Sequence, residues 1–164
     1  MENDVGVEAI AVITGSFLSG AMMSVYLLAI PSLFDTTTDP GHLIRHWHRI
    51  FMNGHVKGPI ISLTTTALYG LAALAKYHAG QQWAVFATAG ATTIAMVPFT
   101  LTIMAPTNEA LFKMEAEVQK GRSPPWSEAE RLVRNWTRFN LTRAFFPLAG
   151  AVLGLLATLK LVSF

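Results

Sequence analysis

Four long apolar runs separated by short polar connections leave this chain few ways to fold. They cover about residues 5 to 34, 59 to 77, 83 to 105 and 141 to 163. A helix rising 1.5 Å per residue crosses a bilayer core in about 20 apolar residues, so each run is long enough to span. The chain is 52% hydrophobic and only 13% charged, whereas a soluble domain carries about a quarter charged residues. Lipid is therefore the expected solvent for most of residues 1 to 164, as one all-α, multi-pass, integral membrane four-helix bundle. The acidic residues Glu2, Asp4 and Glu8 stand where a signal peptide would be basic, so the first run is expected to stay as a span.

An even number of spans puts both termini on one membrane face and both long connections, residues 35 to 58 and 106 to 140, on the other. Ten basic residues sit on or beside that loop face: Arg45, Arg49, Lys57, Lys113, Lys120, Arg122, Arg131, Arg134, Arg138 and Arg143. Only Lys76 and Lys160 oppose them. The bias of lysine and arginine toward cytosolic loops makes the loop face cytosolic. On that side the glycosylation patterns at Asn135 and Asn140 would be silent. With no cysteine, disulfides and thiolate sites are excluded. A net charge of +2 without a basic stripe gives no reason to expect nucleic acid as a partner.

Both connections carry short amphipathic helices. Asp39 is placed to cap a helix opened by Pro40, with Leu43, Trp47, Ile50 and Phe51 on one face and His42, Arg45, His46 and Arg49 on the other. Gly54 is expected to end it. The second connection reads as one helix from about 109 to 120, then the break "GRSPPW", then a helix opened by the capping box Ser127-Glu128-Ala129-Glu130. Its apolar side holds Ala129, Leu132, Val133 and Trp136.

Chemistry concentrates where these connections meet the spans. Four of the five histidines fall between His42 and Pro59. His42 and His46, one turn apart, can share a metal only if a third ligand joins them; otherwise His42, like His48, faces headgroups. His55 lies where the chain re-enters the membrane, placed to act as a base near neutral pH with Lys57 beside it. Pro106 is expected to end the third span, with Thr107 or Asn108 capping the next helix. Asn108 is also placed to donate to a substrate oxygen. Trp136, Asn140 and Arg143 share one helix face. An arginine that deep either snorkels or points inward to an anion, and Asn140 beside it supports the inward reading. Gly150 and Gly154 have the spacing that brings helices close, within one chain or between two as a homo-oligomer.

Three segments together resemble a known family. Trp47, Gly54, His55 and Pro59 come first; then Pro106, Thr107, Asn108 and Leu111; then Trp136, Asn140, Arg143, Pro147, Leu148, Gly150, Ala151 and Gly154. In order and placement they resemble the small four-span membrane family that contains the fungal anthrone oxygenases. The resemblance implies oxidation of an anthrone, an emodin anthrone-like polyketide, to an anthraquinone, with dioxygen as co-substrate and no organic cofactor or metal. It implies His55 as base, Arg143 and Asn140 as the anion pocket, Asn108 at the reduced oxygen, and His46 or His48 as proton shuttles. Trp47 or Trp136 would stack on the substrate rings, and the endoplasmic reticulum would be the membrane in a fungus. Two alternatives stand beside it: a non-enzymatic membrane module that binds lipid or an assembly partner, and an oxygenase with a metal on His42, His46 and His55.

Overall fold

The computed structural model describes residues 2–162, with side chains from residue 6 onward, so the end of the last apolar run and the side chains of Glu2 and Asp4 lie outside it. The described residues are helical nearly throughout. The elements are α1 (Glu2–Ser24), a π-helical turn (Val25–Ala29), α2 (Ile30–Thr36), α3 (Pro40–Gly54), α4 (Lys57–His78), α5 (Ala84–Ile94), α6 (Met96–Thr102), α7 (Ala105–Gln119) and α8 (Trp126–Thr158). Four helical stretches are long and apolar enough to cross a membrane: Gly6–Thr36, Pro40–His78, Ala84–Thr102 and Trp126–Thr158. In the bundle α1 packs between α4 and α8, and α5 closes the ring by packing on the same two helices. Leu27, Leu28, Ile13, Phe17, Leu63, Leu71 and Leu101 are left exposed around the outside, as a lipid-facing surface requires.

Three buried clusters make up the core, one of them Leu18, Met22, Met96 and Ala144. A second, within the bundle, is made mostly of small residues, Ala11, Ala72, Ala73 and Ala89, with Tyr69 and Phe86 as its bulky members. Gly150 and Gly154 face inward. A Cβ on Gly150 would fall 2.7 Å from the Ala89 carbonyl oxygen, and one on Gly154 2.6 Å from the Tyr69 ring. Their close approach is thus used inside one chain. At the loop face α2, α3, α7 and the first half of α8 enclose a core of large side chains, with Leu43, Ile44, Trp47, Met104, Leu111, Val133 and Trp136 all buried.

Several expected boundaries move, each for a physical reason. The helix read as opening at Ser127 starts at Trp126, with Pro125 at the cap position and no side-chain capping bond. It runs without a break into the fourth span, because nothing between Ser127 and Leu141 breaks a helix. The third span is interrupted at Ala95, where Pro98 has no N–H for the carbonyl of Ile94. Pro106 lies in the first turn of α7 and opens that helix, Met104 holding the cap position without a side-chain bond, so neither Thr107 nor Asn108 caps. Asp39 caps α3 as expected, its carboxylate accepting from the N–H groups of Gly41 and His42, each at 3.0 Å. The π-helical turn was not expected. There Ile30 N–H donates to Val25 O, one residue before Pro31, which has no N–H for the Leu27 carbonyl.

At the end of the bundle away from the loops, Glu8 Oε1 lies 2.9 Å from Lys76 Nζ, both side chains largely buried. Removing one partner strands a buried charge, at a cost of about 3–5 kcal/mol, whereas an apolar replacement of both is tolerated. Lys76→Met alone should therefore sharply lower the thermal midpoint in detergent, and Glu8→Leu with Lys76→Met should restore most of it. Gly154→Val, which drives a branched side chain into Tyr69, should lower the midpoint as well, by about 1–3 kcal/mol of overpacking.

Candidate functional site

The best-defined polar group in the bundle is built around Arg143. Its side chain turns inward from α8. Nη2 donates to Asn140 Oδ1 at 2.9 Å and Nη1 to Thr100 Oγ1 at 3.2 Å. Nε is buried with no partner. The other end of the Asn140 carboxamide is also committed, since Nδ2 donates to the Met22 carbonyl at 2.9 Å. One arginine thereby ties α8 to α6 and, through Asn140, to α1. Asn140 is 2% exposed, and its Oδ1 fixes the guanidinium while one of its two amide N–H groups is held by the Met22 carbonyl. The cation placed to meet an oxyanion is Arg143. Pro147 has no N–H for the Arg143 carbonyl, and one residue further on Ser19 Oγ donates to the Ala144 carbonyl at 2.9 Å.

Asn108 sits in the first turns of α7. Its Oδ1 is buried without a partner, so the carboxamide has hydrogen-bonding capacity to spare toward the interior.

His55 lies at the two-residue turn between α3 and α4, exposed, with Lys57 exposed in the first turn of α4. The His55 ring stacks on Phe51 at 5.6 Å between centroids and 9° between planes. Its Nδ1 is 2.9 Å from the Met52 carbonyl. A carbonyl only accepts, so Nδ1 carries the hydrogen and Nε2 holds the free lone pair of the neutral ring. Among the described residues no hydrogen bond joins His55 to Asn108, Asn140 or Arg143.

The other histidines divide. His48 Nδ1 is 3.3 Å from Glu115 Oε1, and that carboxylate, buried on the inner face of α7, also accepts from Gln119. His42 and His46 lie edge to face, 4.4 Å between ring centroids, with His42 Nδ1 3.2 Å from Thr37 Oγ1. Burial, then His42, Arg49 and Arg45, hold the His46 imidazole below its ordinary range, favouring its neutral form. Among the described residues no three His, Asp or Glu side chains gather as metal ligands, so the proposed metal set of His42, His46 and His55 is not assembled.

Both expected stacking residues are core. Trp47 and Trp136 are buried and meet edge to face at 6.0 Å. Phe112 stands edge-on to Trp47 at 5.3 Å, leaving that ring no open face for a substrate. Both indole N–H groups are buried without a partner.

Sequence reasoning missed Thr100, the Met22 carbonyl and Glu115. The first two carry no signal, because a backbone carbonyl and a threonine in a span look like any other. Glu115 does carry one: it is a lone carboxylate in the buried stripe Leu111, Met114, Glu115, Val118.

No solved structure matches this chain. A monooxygenase named hypC from Dothistroma septosporum is 52% identical over 162 residues, 99% of this chain and 88% of the relative. A noranthrone monooxygenase from Aspergillus flavus is 49% identical over 163 residues, covering 99% and 78%. An anthrone oxygenase, AgnL2, from Paecilomyces divaricatus is 45% identical over 150 residues, covering 90% and 92%. The family profile described as anthrone oxygenase matches residues 47–153, a stretch that contains His55, Asn108, Asn140 and Arg143. On these matches, with all three sequence segments in place within the four-helix bundle, the chain belongs to the anthrone oxygenase family.

Proposed function

We propose that this chain is a membrane-bound anthrone oxygenase that converts an anthrone to an anthraquinone with dioxygen. The observation that carries the assignment is the inward Arg143 guanidinium, fixed by Asn140 and Thr100 with Nε left free. An anthrone methylene is acidic because loss of its proton gives an aromatic phenolate-type anion. A fixed cation inside an apolar bundle stabilises that anion far more than water does.

His55 Nε2 takes the methylene proton. The anion passes one electron to dioxygen; the carbon radical and superoxide combine at the former methylene carbon, and the peroxide is protonated. Loss of water then forms the new carbonyl, so one oxygen atom enters the quinone, the other leaves as water, and the substrate itself supplies all the electrons. Arg143 holds the anthranolate oxygen. The unpartnered Asn108 Oδ1 suits the hydroperoxide O–H. His48, oriented by Glu115, and His46 return protons from the cytosolic side. No organic cofactor or metal takes part. The basic loop face is cytosolic, and the membrane is that of the endoplasmic reticulum, as suits a relative of fungal enzymes.

The test is product analysis of purified protein in nanodiscs with emodin anthrone under labelled dioxygen, beside a protein-free control. One labelled atom in the new carbonyl, formed far faster than in the control, is the expected result, and a rate equal to the control rejects the assignment. His55→Gln should lower kcat by about 10²–10⁴-fold, the usual worth of a general base, with an unchanged thermal midpoint. Arg143→Lys keeps the charge but loses the fork that reaches both Asn140 and Thr100. It should lower kcat/KM, and wild-type kinetics in that variant would remove Arg143 from the anion pocket.

A further inference from the structure

A cavity of about 440 Å³ opens between the α1–α2 segment and the first half of α8. Its apolar wall is formed by the π-helical turn and α2, through Tyr26, Leu27, Pro31 and Phe34. Its polar rim is Arg134, Arg138 and Asp35. The Arg134 guanidinium lies 4.3 Å from the centre of the Phe34 ring and is anchored to Glu130 at 2.8 Å, so that cation is part of the wall. Arg138 and Asp35 have no such anchor among the described side chains.

The position of the groove matters as much as its lining. Thr137 forms part of its wall and precedes Asn140 by one turn of α8. Tyr26 lies one turn after Met22, whose carbonyl holds Asn140. The groove therefore ends about one helical turn, roughly 5 Å, from the residue that positions Arg143. Leu27, 61% exposed, places its mouth at the edge of the lipid.

We infer that this groove is a docking site for a flat polyhydroxylated aromatic, the chemical class of the oxygenase substrate, on its way from the membrane edge to Arg143. The inference rests on the proposed function for the identity of that class. The size is that of a small-molecule pocket. Apolar and aromatic walls suit fused rings, and the rim suits phenols in particular. Arg138 meets a phenolate or carbonyl oxygen, while Asp35 accepts from a phenolic O–H. That carboxylate repels a lipid phosphate, which sets the groove apart from a headgroup site.

The test measures binding of emodin, a hydroxylated anthraquinone, to purified protein in phosphatidylcholine nanodiscs, alongside turnover of emodin anthrone. Leu27→Trp fills the groove from its lipid-exposed side, and Arg138→Leu removes the free cation. Each should raise the emodin Kd about tenfold, the worth of one charge-assisted contact or of lost ring packing. Unsubstituted anthraquinone should lose affinity in Leu27→Trp only. Emodin Kd values equal to wild type in both variants overturn the inference. So does loss of a copurified anionic lipid from Arg138→Leu, seen by native mass spectrometry, with emodin binding unchanged. Groove-dependent emodin binding without turnover would overturn the oxygenase assignment and leave the groove standing; turnover with groove-independent binding would do the reverse.

Discussion

A guanidinium inside an apolar bundle must be met by acceptors, and most of this architecture is arranged around meeting one. Arg143 draws on a side-chain amide, a threonine hydroxyl and, through Asn140, a backbone carbonyl from three different elements. Three prolines fall in the loop-side halves of three spans: Pro31 after the π-helical turn, Pro98 past the break at Ala95, and Pro147 one turn beyond Arg143. Each withholds an N–H and loosens the local ladder. The carbonyl of Met22 meets the Asn140 amide, and the hydroxyl of Thr100 meets the guanidinium.

Along α8, Arg143 stands between two kinds of packing. Below it glycine, alanine and threonine let helices approach closely, since lipid supplies no hydrophobic drive for large side chains to meet. Above it Trp47, Trp136, Phe112 and their neighbours form a core like that of a water-soluble domain. The cation between them is held in place by Asn140 and Thr100.

The span count, the all-helical fold and the capped α3 were legible because each rests on local chemistry: run length, apolar periodicity and an Asp-Pro start. The inward turn of Arg143 was legible too, from its depth and from Asn140 three residues before it. Element ends were less so. Ser127 reads as a capping residue until Pro125 is seen to occupy that place, and a proline at 106 ends or opens a helix with equal ease. The two tryptophans show a deeper limit. A large aromatic beside a candidate site reads as a substrate platform or as core, and only the positions of Phe112 and the partner indole decide. Likewise the bond from Asn140 to the Met22 carbonyl, 118 residues away in sequence, carries no signal in the chain.

Helix α8 is one uninterrupted rod of 33 residues, about 50 Å long, against a hydrocarbon core of about 30 Å. It carries the aromatic cap on one half and the close-packed glycines on the other, with Arg143 between them. No joint separates the membrane anchor from the chemical face. A change in bilayer thickness that tilts the bundle must therefore swing the cap, the groove and the guanidinium as one body. The lipid around such a protein sets the height and angle at which its site meets the water–membrane boundary, and with it the depth from which a greasy molecule enters.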